Sequence, residues 1–484
     1  MTDTPQDHPE YGSVAGQFDP VFYRAGFAPG AAPADPVLHY LGTGWLEGRD
    51  PTPWFSTRHY LADHADVRAS GVNPFWHFLQ HGQEKDRKIA PPGPEVQRLY
   101  QAHAFATAPG PYFEPLDHSI GAGSQPRAKV LAYYLPQFHP IAENDANWGA
   151  GFTEWRNLPR GMPRFQGHIQ PRIPRDLGHY SLADGDTYRH QIDMARAAGI
   201  HGFCFYYYWF DGRRVLDTPI ERMLDNPDLD FPFCLMWANE NWTRTWDGHE
   251  DDVILAQNYR EEDDEAFVDD LARNFRDPRY IRVQGRPLYF IYRPGQIPES
   301  RQTIARWRHL LKTRHDLDPL IFMAQGFDDE DPRPHGLDGA IEFPPHKICQ
   351  NLPNIGPQLG MIDPDFTGVV MSYDAAVTRS VEVAVPDFPF IRAVAPHWDN
   401  EARRPGRGLT LQGSTPEKFR GWLDMMIAHS QAHPVAGESF VVINAWNEWA
   451  ESAVLEPDVH FGGAYLNSVA RAVFGKPGTG PGTG

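Results

Sequence analysis

Eight short apolar runs recur along most of the chain, separated by polar or amphipathic stretches. They lie at 128–135, 200–207, 231–237, 287–292, 320–324, 339–343, 390–395 and 440–445. Runs that are apolar at consecutive positions predict strands buried on both faces, as in a parallel sheet covered by helices. The stretches at 187–198 and 265–275 have the apolar spacing of amphipathic helices. Eight strand–helix units over about 350 residues predict an α/β fold, a (β/α)8 barrel with insertions, at 128–474. An open doubly wound sheet is the rival, weakened because no Gly-rich dinucleotide turn follows the first run.

The first part of the chain reads differently. Residues 17–92 hold two copies of a pattern repeating about every 37 residues. One copy has Phe18, Tyr23, D-P-V-L-H-Y-L from Asp35, Gly44 and Glu47; the other has Phe55, Tyr60, N-P-F-W-H-F-L from Asn73, Gly82 and Glu84. D-P and N-P predict an N-cap followed by proline at the first helical position, and Gly44 and Gly82 are expected to stop those helices. The result is a small N-terminal helical repeat region of two short hairpins. Residues 1–16 are expected to be disordered, 93–127 to be a linker, and 475–484 to be a flexible tail.

Composition narrows the function. Lys plus Arg is 44 against 63 for Asp plus Glu, a formal charge of −19, which disfavours nucleic acid as a partner. No 18-residue apolar run predicts a membrane span, and the polar, acidic start lacks a secretory signal, so the expected location is cytoplasmic. Three cysteines without metal spacing give neither a disulfide framework nor a zinc site. The Asp-rich stretch at 247–252 lacks the pattern of a calcium loop, and none of the strand-end histidines His139, His346 and His397 has a second histidine four residues away. No metal or other cofactor is expected. The 14 tryptophans are the unusual feature.

In a (β/α)8 barrel the chemistry sits at the C-terminal strand ends. Tyr134, His139, Trp148 and Glu154 follow the first run, and Tyr207 ends the second. Trp237, Asn239, Glu240, Trp242, Arg244 and Trp246 follow the third, and Arg293 follows the fourth. Glu342 lies at the end of the sixth and Asp399 beyond the seventh; the eighth leads into Trp446, Asn447, Glu448, Trp449 and Glu451. Aromatic rings stack on the apolar faces of sugars while carboxylates and amides bond hydroxyls, so a saccharide-binding mouth accounts for the tryptophan excess. Glu448 and Glu451, at i and i+3, face one side of a helical turn. Their carboxyls are then about 5–6 Å apart, near the spacing of retaining glycosidases, where unequal environments make one an acid and the other a base.

At these residues the sequence resembles the glycoside hydrolase family 99-like proteins, in their bacterial WbsX-like branch. The matching stretches are A-Y-Y-L-P-Q-F-H-P from Ala132, N-W-G-A-G-F-T-E-W from Asn147, G-I-H-G-F-C-F-Y-Y-Y-W-F from Gly199, W-A-N-E-N-W-T-R from Trp237, G-R-P-L-Y-F-I-Y-R-P from Gly285 and N-A-W-N-E-W-A-E from Asn444. The resemblance implies a (β/α)8 barrel. It implies Glu451 as general acid/base, Glu448 as the base assisting the sugar's own 2-hydroxyl with net retention, and Glu240 as a sugar-binding residue. It departs from the family's hydrolases at Ala450, where they carry His, and at Ser452, where they carry Gly. The branch is associated with O-antigen and capsule synthesis, so it implies a hydrolase or transglycosylase acting on a bacterial surface polysaccharide or oligosaccharide. The alternatives are a glycosyltransferase building such a polymer and a non-catalytic glycan-binding barrel. The N-terminal repeat resembles one found before polysaccharide-processing domains; a purely packing role is the alternative.

Overall fold

A computed structural model describes residues 4–5, 8–27, 31–83, 85, 87–89, 94–244, 249–325 and 329–478. The chain divides into two units, 1–98 and 99–484.

In the larger unit the eight apolar runs form eight parallel strands. They are β1 (Lys129–Tyr134), β2 (Ile200–Phe210), β3 (Phe233–Trp237), β4 (Arg286–Ile291), β5 (Leu320–Gln325), β6 (Gly339–Glu342), β7 (Phe390–Val394) and β8 (Phe440–Ile443). Each pairs with the next, and β8 pairs with β1 (Phe440 beside Lys129), so the sheet closes into a barrel without an edge. The following helices cover its outer face: α1 (Gly185–Ala197), α2 (Thr218–Asp225), α3 (Asp264–Phe275), α4 (Ser300–His315), α5 (Tyr373–Val381), α6 (Pro416–Ala432) and α7 (Ala464–Val473). This is the (β/α)8 fold, with one departure from eight strand–helix units. Among the described residues, the β5–β6 connection holds only a 3-10 turn at Arg333–His335. Pro332 and Pro334 deny it amide donors, and Gly336 in the left-handed region ends it.

Strand parity decides which side chains reach the barrel mouth. In β2, Tyr207 and Trp209 face the helix layer, against Phe267 of α3, while Tyr206 and Tyr208 face inward. Trp237 at the end of β3 likewise packs outward, on Phe267 and on Trp307 of α4. Among the described residues, no helix is long and apolar enough to cross a membrane.

The stretch expected as a linker has structure of its own. Pro94–Ala106 is a helix that begins at a proline, the position where a missing N–H costs nothing. Beyond it the chain is strapped to the barrel. Glu114 pairs with Arg471 and accepts from Asn467 on α7, and its carbonyl accepts from the Gly463 amide. Gly463 is needed there, because a Cβ would meet the Leu116 Cα at 2.5 Å. These partners lie some 350 residues away in sequence, which hides the strap from local reading.

In the smaller unit the two repeat copies build one core from Phe18, Tyr23, Tyr40, Phe55, Tyr60 and Phe75, among others. Asp35 and Asn73 cap their helices as expected, each accepting from two backbone amides. The start of the chain is not uniformly unstructured. Tyr11–Ala15 is helical, because Val14 is buried in this core and Tyr11 donates to Asp35. Gly44 and Gly82 do more than end helices. Each copy holds a tyrosine–histidine bond, Tyr23 Oη to His39 Nδ1 (2.8 Å) and Tyr60 Oη to His77 Nδ1 (2.9 Å). A Cβ on Gly44 would stand 1.9 Å from the Tyr23 hydroxyl, and one on Gly82 would stand 2.7 Å from that of Tyr60. The repeated glycine therefore makes room for the repeated tyrosine. Gly44→Ala should lower stability by about 1–3 kcal/mol through overpacking. Gly12→Ala, in a helical turn where a Cβ meets nothing within 4 Å, should not lower it and should raise it by up to about 1 kcal/mol. Denaturant titration of both variants checks this.

Candidate active site

A cleft of about 310 Å³ opens at the C-terminal ends of the strands. Its aromatic walls are Tyr206, Tyr208, Phe210, Trp242, Tyr292 and Phe343, and its polar surface comes from Gln137, Glu240, Asn241, His346, Arg403, Glu448 and Glu451.

Glu448 precedes and Glu451 ends a 3-10 turn, Trp449–Glu451, that follows a short bridge after β8. Positions three apart nearly eclipse in a 3-10 turn, so both carboxylates point the same way. They meet one guanidinium. Arg403 Nη2 donates to Glu448 Oε2 (2.9 Å), Nη1 donates to Glu451 Oε1, and Nε donates to Glu154 Oε1 (2.9 Å). With all three carboxylates ionised, this buried cluster carries two net negative charges, which favours taking up a proton. Burial is the largest influence on Glu448 and, with repulsion from Glu451 and Glu154, pushes it up to about 8 despite Arg403. Burial also raises Glu451, opposed by Arg403. The two charges oppose each other, so ionisation of one disfavours ionisation of the other.

The loop that presents Arg403 is fixed from below. The Asp399 amide donates to the Glu451 carbonyl (2.7 Å), and its carboxylate accepts from His168 and Gln170 (2.7 Å each) and from Thr410 (3.1 Å). Burial alone would raise Asp399; His168 and Gln170 outweigh that and hold it below the usual carboxylate range. Arg164 clamps the same loop through Glu401. The acid-bearing turn is fixed by Glu456, which accepts from Trp446, Trp449, Tyr180 and Gln191 at 2.7–2.9 Å. Burial pushes this carboxyl up to about 7, while its four donors pull it down.

Of the residues expected to form the site, Glu240, Trp242, Glu448 and Glu451 line the cleft, and Glu154 joins them through Arg403. Trp242 lies nearly parallel to Tyr208, 5.8 Å away. Arg293 stands behind Glu240, to which it donates at 2.7 Å. Most of the others hold the scaffold. Trp446 and Trp449 are fully buried, with their indole N–H groups on Glu456, so they are not sugar platforms. Tyr134 and Tyr207 face outward, donating to Gln191 and Asp270, and Trp237 packs in the helix layer. Asn447 exchanges two bonds with the Leu135 backbone, and Asn239 does the same with Arg293. Glu342 pairs with Arg392 away from the cleft, and Asp399 anchors the loop rather than meeting a ligand. His139 is buried and Trp148 stacks on Phe152; neither lines the cleft. The Arg244 side chain and Trp246 lie outside the described residues.

Sequence reading missed Arg403, Tyr206, Tyr208, Tyr292 and Gln137. The tyrosines were hidden by parity, since a run apolar on both faces does not say which face is the mouth. Arg403 stands in E-A-R-R-P-G-R-G after β7, where three arginines in a short strand-end loop were the available signal.

A barrel with paired carboxylates at its mouth is the class of molecule that fold and site define. The model of the family described as "Glycosyltransferase WbsX" matches residues 130–469, and the chain belongs to that family. Two curated relatives from two strains of Xanthomonas campestris pv. campestris, each named "Uncharacterized protein WxcX", are 43% identical over 350 residues, which is 72% of this chain and 50% of theirs. The chain thus spans about half the length of the curated relatives it matches. Among solved structures, similarity is found to a "Glycoside hydrolase-like protein" (14% identity, TM-score 0.46, covering 77% of this chain and 98% of that one). It is also found to the GH99 endo-alpha-mannosidase from Bacteroides thetaiotaomicron (17% identity, TM-score 0.45, 71% and 96%).

The shift at Glu448 makes stability depend on pH. The folded chain holds a proton there up to about pH 8, whereas an unfolded glutamate releases it near the ordinary value of 4.5. Between those values the folded state binds more protons, so this group costs stability progressively as pH rises, and the cost is complete above about pH 8. Glu448→Gln, which mimics the protonated form, should therefore gain thermal stability over wild type as pH increases from 5 to about 8, with a constant difference above. Melting curves across that range test it; a difference that does not vary with pH contradicts the assignment.

Proposed function

We propose that this chain is a carbohydrate-active enzyme that cleaves or transfers glycosidic bonds of a bacterial surface polysaccharide or oligosaccharide with net retention. The observation that carries the reading is the pair Glu448 and Glu451 meeting one half-buried guanidinium, that of Arg403, in an aromatic-walled cleft. General acid–base chemistry needs one protonated and one ionised carboxyl at working pH; burial, which raises both acids, and Arg403, which opposes it, favour that mixed state.

The roles follow the family resemblance. Glu451 protonates the departing glycosidic oxygen. Glu448 accepts the proton of the sugar's own 2-hydroxyl as that oxygen attacks the anomeric carbon, giving a 1,2-anhydro sugar. Water or an acceptor hydroxyl then opens it, returning a proton to each partner's starting place. Entry of a sugar brings hydroxyl donors to Glu448, which favours its ionised form, while Glu451 is the acid that carries the proton. Tyr208 and Trp242 offer ring faces for stacking, and Glu240 and Asn241 offer hydroxyl acceptors.

The family's description favours a second reading, a nucleotide-sugar-dependent glycosyltransferase in polysaccharide assembly. Calorimetry with nucleotide sugars, with and without Mg²⁺ or Mn²⁺, separates the two: binding supports the transferase and its absence supports the retaining enzyme. Glu451→Gln should lower product release from a cleaved polysaccharide by about 10²–10⁴-fold. Full activity in that variant removes Glu451 from the chemistry, and glycan binding with no turnover in wild type points to a non-catalytic barrel.

A further inference from the structure

Glu342 ends β6 but faces away from the mouth. Phe343 beside it lines the cleft, so strand alternation turns Glu342 toward the helix layer. That layer has a gap here, because the described part of the β5–β6 connection holds only a 3-10 turn. The gap is a pocket of about 420 Å³, larger than the cleft. Glu342 lies at its floor, with Gln325 beside it in register on β5 and Ala393 on β7. Its walls are Ile348, from the short helix His346–Cys349, and Val383, Ala384, Pro386 and Phe388, from the segment between α5 and β7. Val383, Pro386 and Phe388 are half-buried and Ala384 is exposed, so these walls present apolar surface to whatever enters. One oxygen of Glu342 is committed: Oε2 accepts from the Ala393 amide (2.9 Å) and pairs with Arg392 Nε (2.9 Å). The side chain is still 11% exposed, and Oε1, which accepts no bond among the described residues, is not enclosed. An apolar pocket thus ends on a single open acceptor.

We propose that this pocket binds a small neutral molecule with an apolar body and one hydroxyl, which donates to Glu342 Oε1. The apolar walls select the body, and the volume lies within the range of small-molecule sites, roughly 300–1,000 Å³. Charge selects the polar end. Arg392 already balances Glu342, Lys347 at the rim is paired with Glu330 (3.1 Å), and Arg379 adds a positive charge beside it. An ammonium would therefore find no uncompensated negative charge to replace its lost hydration, and an anion would meet the open carboxylate oxygen. A hydroxyl satisfies Oε1 without adding charge. The site adjoins the cleft, since Phe343 lines both, but it is a different site with a different lining. Neither the pocket nor its open acceptor depends on the chemistry proposed for Glu448 and Glu451.

Ligand-observed NMR titration of the full chain with cyclohexanol, cyclohexylamine and cyclohexanecarboxylate at pH 7 tests the selection. Cyclohexanol should bind at least about tenfold more tightly than either charged analogue. Equal or tighter binding of the amine or the carboxylate overturns the proposal. A crystal of the full chain soaked in cyclohexanol should show the ring against Val383 and Phe388 and the hydroxyl within hydrogen-bond distance of Glu342 Oε1. An empty pocket, or a ring bound only elsewhere, overturns it. Glu342→Leu should weaken cyclohexanol binding about tenfold by removing the acceptor. That variant also strips Arg392 of its partner, so Ala384→Trp gives a second test: it fills the pocket from an exposed wall position and leaves the Glu342–Arg392 pair in place. Binding should be lost in Ala384→Trp, and binding that persists there at wild-type strength overturns the proposal.

Discussion

The guanidinium of Arg403 organises the barrel mouth. Three carboxylates, the buried Glu154 and Glu448 and the half-buried Glu451, converge on it from the loops after β1 and β8. None could remain ionised there alone, because burial of an unpaired charge costs several kcal/mol. Burial raises Glu448 and Glu451 most, and repulsion from Glu451 and Glu154 adds to it at Glu448; Arg403 offsets this only in part. The chemistry proposed for the site is thus a consequence of burial that the arginine offsets only in part.

Holding such a cluster requires a stiff surround. Asp399 ties the Arg403 loop to the Glu451 carbonyl, to His168 and to Gln170, so segments from the β1, β7 and β8 ends share one network. Glu456 fixes the other side by accepting the indole N–H groups of Trp446 and Trp449, on either side of Glu448. Its four donors match the acceptor capacity of an ionised carboxylate, and a protonated carboxyl would leave one of them unmatched. Several of the tryptophans that mark the composition belong to this scaffold. They supply apolar bulk and a single donor that a buried carboxylate can use, which is a different task from stacking on a sugar.

The smaller unit follows the same principle of close approach. Its repeat is defined by a tyrosine hydroxyl bonded to a histidine across two turns, and the glycine in each copy exists because that hydroxyl occupies the space of a side chain. The strap from Glu114 to α7 uses Gly463 in the same way, to let two backbones meet.

The apolar runs alone determined the barrel. A strand buried on both faces has no other composition available to it, so each of the eight strands was legible to within a few residues. Local chemistry also determined the caps at Asp35 and Asn73, where the side chain bonds its own next turn. The motif after the eighth run placed Glu448 and Glu451 together because three residues of spacing fix their direction. Tertiary structure decided the rest. Parity assigned Tyr206 and Tyr208 to the mouth and turned Tyr207 and Trp237 away, and a run apolar throughout carries no mark of its inner face. Pairing across more than two hundred residues brought Arg403 to Glu154 and sent Asp399 to His168. Charge partners of that kind leave no periodic trace, since a salt bridge depends on where loops end in space and not on any spacing along the chain.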